Sequence, residues 1–566
     1  GFDLSTQQIK ALIVDGDLKP VLQEHVEFDV DTPQYKTKKG VYTNPTEDNV
    51  YAPVEMWIRA MDVLLTKMKR SSIDFAHIKS ISGAAQQHGS VYWSYEAERL
   101  LSSLDPQNDL ASQLCPTAFA NQFSPNWQDH STVKECVELE HKIGGAEKLA
   151  KLTGSKTHHR FTGPQIMRFI NRYPDEYEQT SRISLVSSFL ASIFLGSIAP
   201  FDVSDVCGMN MWDIPAGKWN EEILKIVSGG ENEAITLKKK LGEVEPDGGK
   251  HLGHIADYYV KRFGFAKDCI VTPVTGDNPG TILALPLRPL DAIVSLGTST
   301  TFLVSTPNYE TSPAYHMFSH PTTAGLYMGM LCYCNGALAR ERIRDEINSK
   351  YSHKSPVSPS SWEKFDEFAL RSPRTGAKAD GDARKLGFYF PLPEIVPDVR
   401  AGIWRFSVDA ETNVPEYLDA SSNEWSVPED DALTILESQG LSMRLRAGPM
   451  LYPSGQPRRV YVVGGGSKNA AICRSLGEVL GPTEGVFRLD MGGNACALGS
   501  AYKAYWSYAR KVQPNGSYEA FEDFLACKWD ESSMILKVDE GYREGVWENY
   551  GRLLEPFSRA ESFLSQ

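Results

Sequence analysis

No apolar run in the 566-residue chain approaches the ~20 residues of a bilayer span, so no helical membrane segment is expected. The opening Gly1-Phe2-Asp3 lacks the basic and then apolar start of a secretory leader. A turn-like motif at the first residue implies a strand cut off in front of it, so the natural chain is expected to begin a few residues earlier. No two cysteines have CxxC spacing. The nine, an odd number, are scattered from Cys115 to Cys527, and Cys332-Tyr333-Cys334 alternates as a strand does. That pattern points away from disulfides and zinc and towards reduced thiols in a cytoplasmic compartment. Positive charge is also short: 58 Lys and Arg against 72 Asp and Glu leave a formal charge of −14. With the acids dispersed, this disfavours nucleic acid and anionic membranes as partners. The run Lys238-Lys239-Lys240 reads as solvated surface. No short tandem repeat is present.

What is there suggests an α/β protein of about two to four domains by size. Ile9–Val14 and Val21–Phe28, turned by Asp15-Gly16-Asp17, read as an opening β-hairpin. Residues 54–69 carry Met56, Trp57, Ala60, Met61, Leu64, Leu65 and Met68 at helical spacing. Ile78–Ser82 and Ile270–Val274 are short buried strands, and 183–196 is a strand or a helix with small residues that permit close packing. The hairpin at 291–304 and the helices at 335–348, 430–445, 470–480 and 494–506 repeat the scheme. The 430–445 helix is expected to be amphipathic. Stretches 32–53 and 352–385 read as insertions, the latter because it is rich in Ser, Pro, Gly and Asp. Ala284–Leu290 is the natural linker, which divides the chain into 1–285 and 286–566.

The chemistry gathers in four places. Asp3-Leu4-Ser5-Thr6 opens a hairpin whose N–H groups and hydroxyls could hold phosphate, while Asp3 could orient magnesium. A surface β-turn is the plainer meaning of such a motif. Ser295-Leu296-Gly297-Thr298-Ser299 interrupts an apolar strand with a small, hydroxyl-rich turn that packing does not explain. Tyr461-Val462-Val463-Gly464-Gly465-Gly466-Ser467-Lys468-Asn469 is strand, glycines, helix. The dinucleotide spacing G-x-G-x-x-G fails, because Asn469 stands where its third glycine belongs. Finally, Pro273-Val274-Thr275-Gly276-Asp277-Asn278-Pro279-Gly280 sets one carboxylate among glycines and prolines at the end of a buried strand, between the two hydroxyl-rich hairpins. Asp-Asn-Pro alone often marks only a turn, but this placement makes Asp277 a candidate base beside phosphates. Gln86-Gln87-His88-Gly89 gathers three hydrogen-bonding side chains at a strand end, which suits a polyol.

Taken together, Gly1–Lys10, Ser82–Ser90, Arg160-Phe161-Thr162-Gly163, Ile183–Ser188, Thr275–Pro279 and Val294–Ser299 resemble the FGGY family of carbohydrate kinases, in the actin/Hsp70/hexokinase ATPase superfamily. The likeness, closest to its xylulose-specific eukaryotic members, runs from residue 1 to about 510 by our reading of these motifs. It implies two ribonuclease-H-like α/β lobes around a cleft, and ATP-dependent phosphorylation of D-xylulose. His88, Arg160, Asp277 and Asn278 would hold the sugar. Ser5, Thr6, Gly297, Thr298, Gly464, Gly465 and Asn469 would hold ATP, with Trp362 stacked on adenine and Asp3 on Mg2+. Asp277 would be the general base, and the protein a monomer or homodimer. Two positions depart from the broader family: Ser131 replaces an arginine after Trp127-Gln128-Asp129, and Gln165 replaces a lysine after Phe161-Thr162-Gly163-Pro164. A kinase of another ketose or polyol (ribulose, glycerol) is the alternative, and a non-enzymatic ATP switch on the same scaffold is the rival from another class.

Overall fold

Alternation of apolar and polar residues sets the first sheet. In β1 (Phe2–Leu4), β2 (Gln8–Val14) and β3 (Pro20–Glu27), the buried positions Leu4, Ile9, Ala11 and Val26 face one core. Asp15 closes the β2–β3 turn by accepting from the N–H groups of Asp17 and Lys19 at 2.9 and 3.0 Å. β4 (Ser80–Ala85) runs parallel to β1, β5 is Gly253–His254, and β6 (Ile270–Gly276) runs parallel to β4. The spatial order is β5–β6–β4–β1–β2–β3. β6 is buried at every residue, as a central parallel strand should be.

Helix α1 (Val54–Arg70) buries the stripe read from its spacing, from Met56 to Met68. The 183–196 segment is both things expected of it. A strand, Thr180–Leu185, pairs antiparallel with Ser90–Ser94 and gives way to α2 (Val186–Leu195). α2 is buried on nearly every side, which explains its lack of a polar face.

A computed structural model describes residues 1–71, 73–352, 358–371, 374–377, 384–409, 411–419, 422–490 and 493–564. Contacts divide the chain into two units: Gly1–Leu287 with Thr311–Met328 and Asn494–Trp529, and Arg288–Glu310 with Gly329–Gly493 and Asp530–Gln566. These units differ from a single division at 285/286, because two later segments return to the first. Small residues make one return possible. Helix α3 (Asp277–Ile282) meets α7 (Ala495–Ala509) so closely that a Cβ on Gly499 would lie 2.3 Å from the Gly280 carbonyl oxygen.

The second unit repeats the strand logic in β7 (Ala292–Leu296), β8 (Thr300–Thr306), β9 (Tyr327–Tyr333), β10 (Arg459–Val463), β11 (Gly485–Leu489) and β12 (Ile535–Asp539). Their order is β9–β8–β7–β10–β11–β12. Its helices include α4 (Ala337–Tyr351), α5 (Glu429–Ala447) and α6 (Ala470–Leu480). α5 departs from the amphipathic expectation: Asp431, Thr434, Glu437, Ser438 and Ser442 are buried beside its apolar residues. They are tolerated because they are paired, Asp431 with Arg405 at 2.7 Å and Glu437 with Thr375 and Tyr550, both at 2.7 Å.

The 32–53 insertion folds as short strands, Tyr42–Asn44 and Asn49–Pro53, the second paired with Phe123–Pro125. Of the expected 352–385 insertion, residues 353–357, 372–373 and 378–383 lie outside the described residues. Within it Glu363–Ala369 is helical. Among the described residues no helix is long and apolar enough to cross a membrane, and the nine cysteines are all free thiols.

Candidate active site

The buried strand β6 ends at Gly276, and Asp277 opens α3 in the next position. The Asp-Asn-Pro signature is thus a helix start rather than a free turn, with Pro279 in the first turn, where its missing N–H costs nothing. Asn278 donates its backbone N–H and its side-chain amide to Asp277 Oδ1, at 2.8 and 3.1 Å. Burial pushes the Asp277 carboxyl up to about 7, with repulsion from Asp3 and Asp205 adding to it. Burial likewise raises Asp205 to about 7 and Asp3 to about 6. A carboxylate poised near neutrality is what a proton acceptor working at physiological pH requires.

His88 follows Gln86 and Gln87 at the end of β4 in a left-handed conformation, φ 73°, a strained state for a residue with a Cβ. Its Nδ1 lies 3.0 Å from the Gly208 carbonyl oxygen, which can only accept. That partner assigns the proton to Nδ1 and leaves Nε2 as an acceptor for an incoming hydroxyl. The ring stacks on Phe161, centroids 4.4 Å apart, and the Arg160 guanidinium lies 5.5 Å from the Phe161 centroid. Arg160 Nη2 is also 3.4 Å from His316 Nε2, while His316 Nδ1 meets Ser155 Oγ at 2.9 Å. Since a guanidinium only donates, His316 too is a neutral Nδ1–H tautomer. Burial, and then the Arg160 charge, hold both rings well below the usual histidine range. Sequence-expected His88, Arg160, Asp277 and Asn278 therefore all belong to the first unit, with His88 and Arg160 joined through Phe161 and Asn278 bonded to Asp277.

At the first hairpin, the Ser5 N–H and hydroxyl are both engaged by the Gln8 carbonyl, at 3.0 and 3.2 Å. Thr6 Oγ1 accepts from Trp127 Nε1 at 2.8 Å. Gly40 of the 32–53 insertion presses on this loop, where a Cβ would come within 1.9 Å of the Thr6 carbonyl oxygen. Asp3, on β1, is buried and its Oδ1 has no hydrogen-bond partner.

The other expected residues lie in the second unit. β7 and β10 run side by side, Ser295 opposite Val463, so the turns after them, Gly297-Thr298 and Gly464-Gly465, emerge together. Gly464 adopts φ 85°, and a Cβ there would meet the Leu296 carbonyl oxygen at 3.0 Å. Thr298 and Gly465 are exposed. Asn469 caps α6 by accepting from the Ile472 N–H at 2.9 Å and donates to Asp366 at 2.7 Å. Asp366 lies on the Glu363–Ala369 helix, which Trp362 precedes, and its N–H bonds the Trp362 carbonyl at 2.8 Å. Trp362 is half-buried, with the Arg344 guanidinium 4.7 Å from its ring centroid. Two glycine-bearing turns, a capped helix and an aromatic edge could take a phosphate-bearing heterocycle.

Sequence reasoning missed Asp205 and His316. Asp205 closes an Asp-Val-Ser-Asp stretch, a pattern with no chemical signature of its own. His316 sits in a segment with no motif, and its signal is purely spatial.

Comparison with known proteins shows the family. Residues 125–284 match the FGGY family of carbohydrate kinases, N-terminal domain, and residues 292–508 match the C-terminal domain. D-xylulose kinase A of Aspergillus niger is 54% identical over 566 residues, which cover 99% of this chain and 97% of that protein. Probable D-xylulose kinase A of Aspergillus oryzae matches equally, 54% over 99% and 97%. Among solved structures, xylulose kinase from Rhodospirillum rubrum superposes with a TM-score of 0.73 at 15% identity, covering 100% of this chain and 98% of that one. Plasmodium falciparum glycerol kinase with ADP gives 0.68 at 13% identity, covering 100% and 97%. At such identities the structures show the fold alone, a two-domain α/β architecture. The sequence likeness carries more: related to the Aspergillus proteins along almost its whole length and matched by both domain models, the chain belongs to the FGGY family of carbohydrate kinases.

Proposed function

We propose that this carbohydrate kinase transfers the γ-phosphoryl group of ATP in line to D-xylulose, giving D-xylulose 5-phosphate, with Asp277 as general base. The observation that carries the mechanism is the Asp277 carboxyl, pushed up to about 7 at the head of α3. The ketose assignment rests on the 54% identity to D-xylulose kinase A of Aspergillus niger. A non-enzymatic ATP switch has no use for the hydroxyl-reading group around His88, Arg160 and Asn278. Glycerol or ribulose as substrate is separated from D-xylulose by a substrate panel.

Phosphoryl transfer asks for alignment, charge neutralisation and a proton acceptor rather than covalent catalysis. His88 Nε2 accepts one sugar hydroxyl and Arg160 donates to others. Asn278 fixes one oxygen of Asp277, and Asp277 takes the proton of the terminal hydroxyl. Gly297, Thr298, Gly464, Gly465 and Asn469 cradle ATP, with Trp362 against adenine and Ser5 and Thr6 at the phosphates. Among the described residues no cluster of three or more His, Cys, Asp or Glu could hold a metal alone. Mg2+ does not need one, since it keeps waters and takes one or two carboxylates together with substrate phosphates. Asp3 fits that part, with an unpartnered buried oxygen among carboxylates that repel one another. When bound, Mg2+ supplies charge neutralisation at the phosphates. The nine free thiols support a cytoplasmic setting.

The test is ADP release with and without D-xylulose from wild type and Asp277→Ala. The variant should still bind ATP and lose at least ~100-fold in turnover. Near-normal turnover removes Asp277 from its role.

A further inference from the structure

Between Asp277 and the buried carboxylate of Asp205 runs a chain of hydrogen bonds whose polarity is forced at each link. Asp205 is 1% exposed and accepts from the Ser187 hydroxyl at 2.5 Å and from Gln87 Nε2 at 3.1 Å. Its Oδ1 faces the Gln87 amide and its Oδ2 the Ser187 hydroxyl, so with any proton held on Oδ2 towards Ser187, Oδ1 remains an acceptor. The Gln87 amide must therefore turn its NH2 towards Asp205 and its carbonyl oxygen the other way. That oxygen accepts from Asn278 Nδ2 at 2.9 Å. Asn278 is oriented in turn: its NH2 bridges Gln87 and Asp277 Oδ1, and its carbonyl oxygen is the end left to read a substrate hydroxyl.

The backbone is shaped to allow this. A Cβ on Gly276 would lie 2.5 Å from Asp205 Oδ1 and 2.6 Å from Gln87 Cγ, so the residue before Asp277 can carry no side chain while Asp205 and Gln87 stand where they do. Gln87 is itself 3% exposed. Its amide is spent on the chain.

We propose that Gln87, anchored by Asp205, is a positioning residue that sets the orientation of Asn278 and thereby of the Asp277 carboxylate, without touching the substrate. The inference rests on the proposed sugar site. It adds that the site's discrimination between donor and acceptor ends of the ketose is fixed from Asp205.

The predicted loss follows from one buried hydrogen bond and a freed amide, about 10-fold in kcat/KM for the ketose. Gln87→Met keeps the side chain's length and removes both bonds. The expected result in purified full-length enzyme is that ~10-fold loss, with the KM for ATP and the melting temperature unchanged. The deciding measurement is a double-mutant cycle with Asn278→Ala. Because the effect passes through Asn278, Gln87→Met should cost less than about 2-fold in that background. A full 10-fold loss in both backgrounds would mean that Gln87 acts by packing, and the proposal falls. Asp205→Asn supplies a second arm should Gln87→Met fail to fold. An asparagine no longer forces the amide polarity, so it should cost a smaller loss that is likewise absent in Asn278→Ala, and an undiminished loss there also overturns the proposal. The underlying site reading fails separately, if Asp277→Ala or Asn278→Ala alone leaves ketose turnover near normal.

Discussion

The Asp277 carboxyl makes a quantitative demand on the pH profile. The base form is the ionised one, and burial with two carboxylate neighbours places the proton's departure near pH 7. kcat/KM for the ketose should therefore be on its plateau at about pH 8, fall to roughly a tenth at about pH 6 and lose another tenfold by about pH 5. A carboxyl at its ordinary 3.8 would keep more than about nine-tenths of its base form over that whole range. The assay is coupled ADP release across pH, corrected for the coupling enzymes, with ATP saturating. The same group leaves a mark on stability, of opposite sense to catalysis. Its folded-state value is raised above the unfolded one, so the folded protein binds the extra proton. Stability from this group is complete below about 4 and is lost as pH rises towards 7. The distance from 3.8 to about 7 sets an upper bound of about 4 kcal/mol, shared across the repelling carboxylates, so on the order of 1–2 kcal/mol is expected from one. Asp277→Asn should then melt higher than wild type at about pH 8, match it at about pH 4, and have no turnover at either. A wild-type rate flat down to pH 5, or an Asp277→Asn variant less stable at pH 8, refutes the electrostatic account.

Two further outcomes follow from the same geometry. His316→Leu removes the neutral acceptor that meets Arg160 at 3.4 Å, and should raise the KM for ketose about 5- to 10-fold with kcat nearly unchanged. His316→Gln, which can still offer an acceptor to Arg160, should recover most of it in the same steady-state assay. Gly276→Ala places a methyl 2.5 Å from Asp205 Oδ1, so it should cost activity through displacement of Gln87 and lower the melting temperature, as for overpacking by about 1–3 kcal/mol. ADP release from the purified variant checks the first, and scanning calorimetry the second.

Much of this was open to reading in the amino-acid order. The stripe from Met56 to Met68 fixed the face of α1, and β6 followed from a run of apolar residues ended by glycine. The strand, glycine and helix order of 461–469 is likewise found, as β10, the turn at Gly464 and α6. These are local properties, in which spacing along the chain is spacing in the element. α5 marks the limit, because the buried Asp431 and Glu437 look exposed when judged by type. Partners such as Arg405, Tyr389, Thr375 and Tyr550, 26 to 113 residues away in sequence, help make them tolerable inside.

The same limit separates the two kinds of site residue. Asp277 and His88 were found because each ends a strand, where backbone signals are strong. Asp205, Gln87 and His316 act by constraining the polarity of a neighbour, and polarity travels through hydrogen bonds that join positions 118 and 191 residues apart. An acid in a turn and a histidine on a short strand are each unremarkable alone, and the glutamine beside His88 reads from sequence as a polyol contact rather than as a support for Asn278. Their meaning arises once burial strips away water, since a buried amide must then match each of its ends to a partner of opposite character. Specificity for a polyol, whose hydroxyls can each donate or accept, depends on such enforced direction. Asp205 and His316, which take part in enforcing it, are those a linear reading has least reason to choose.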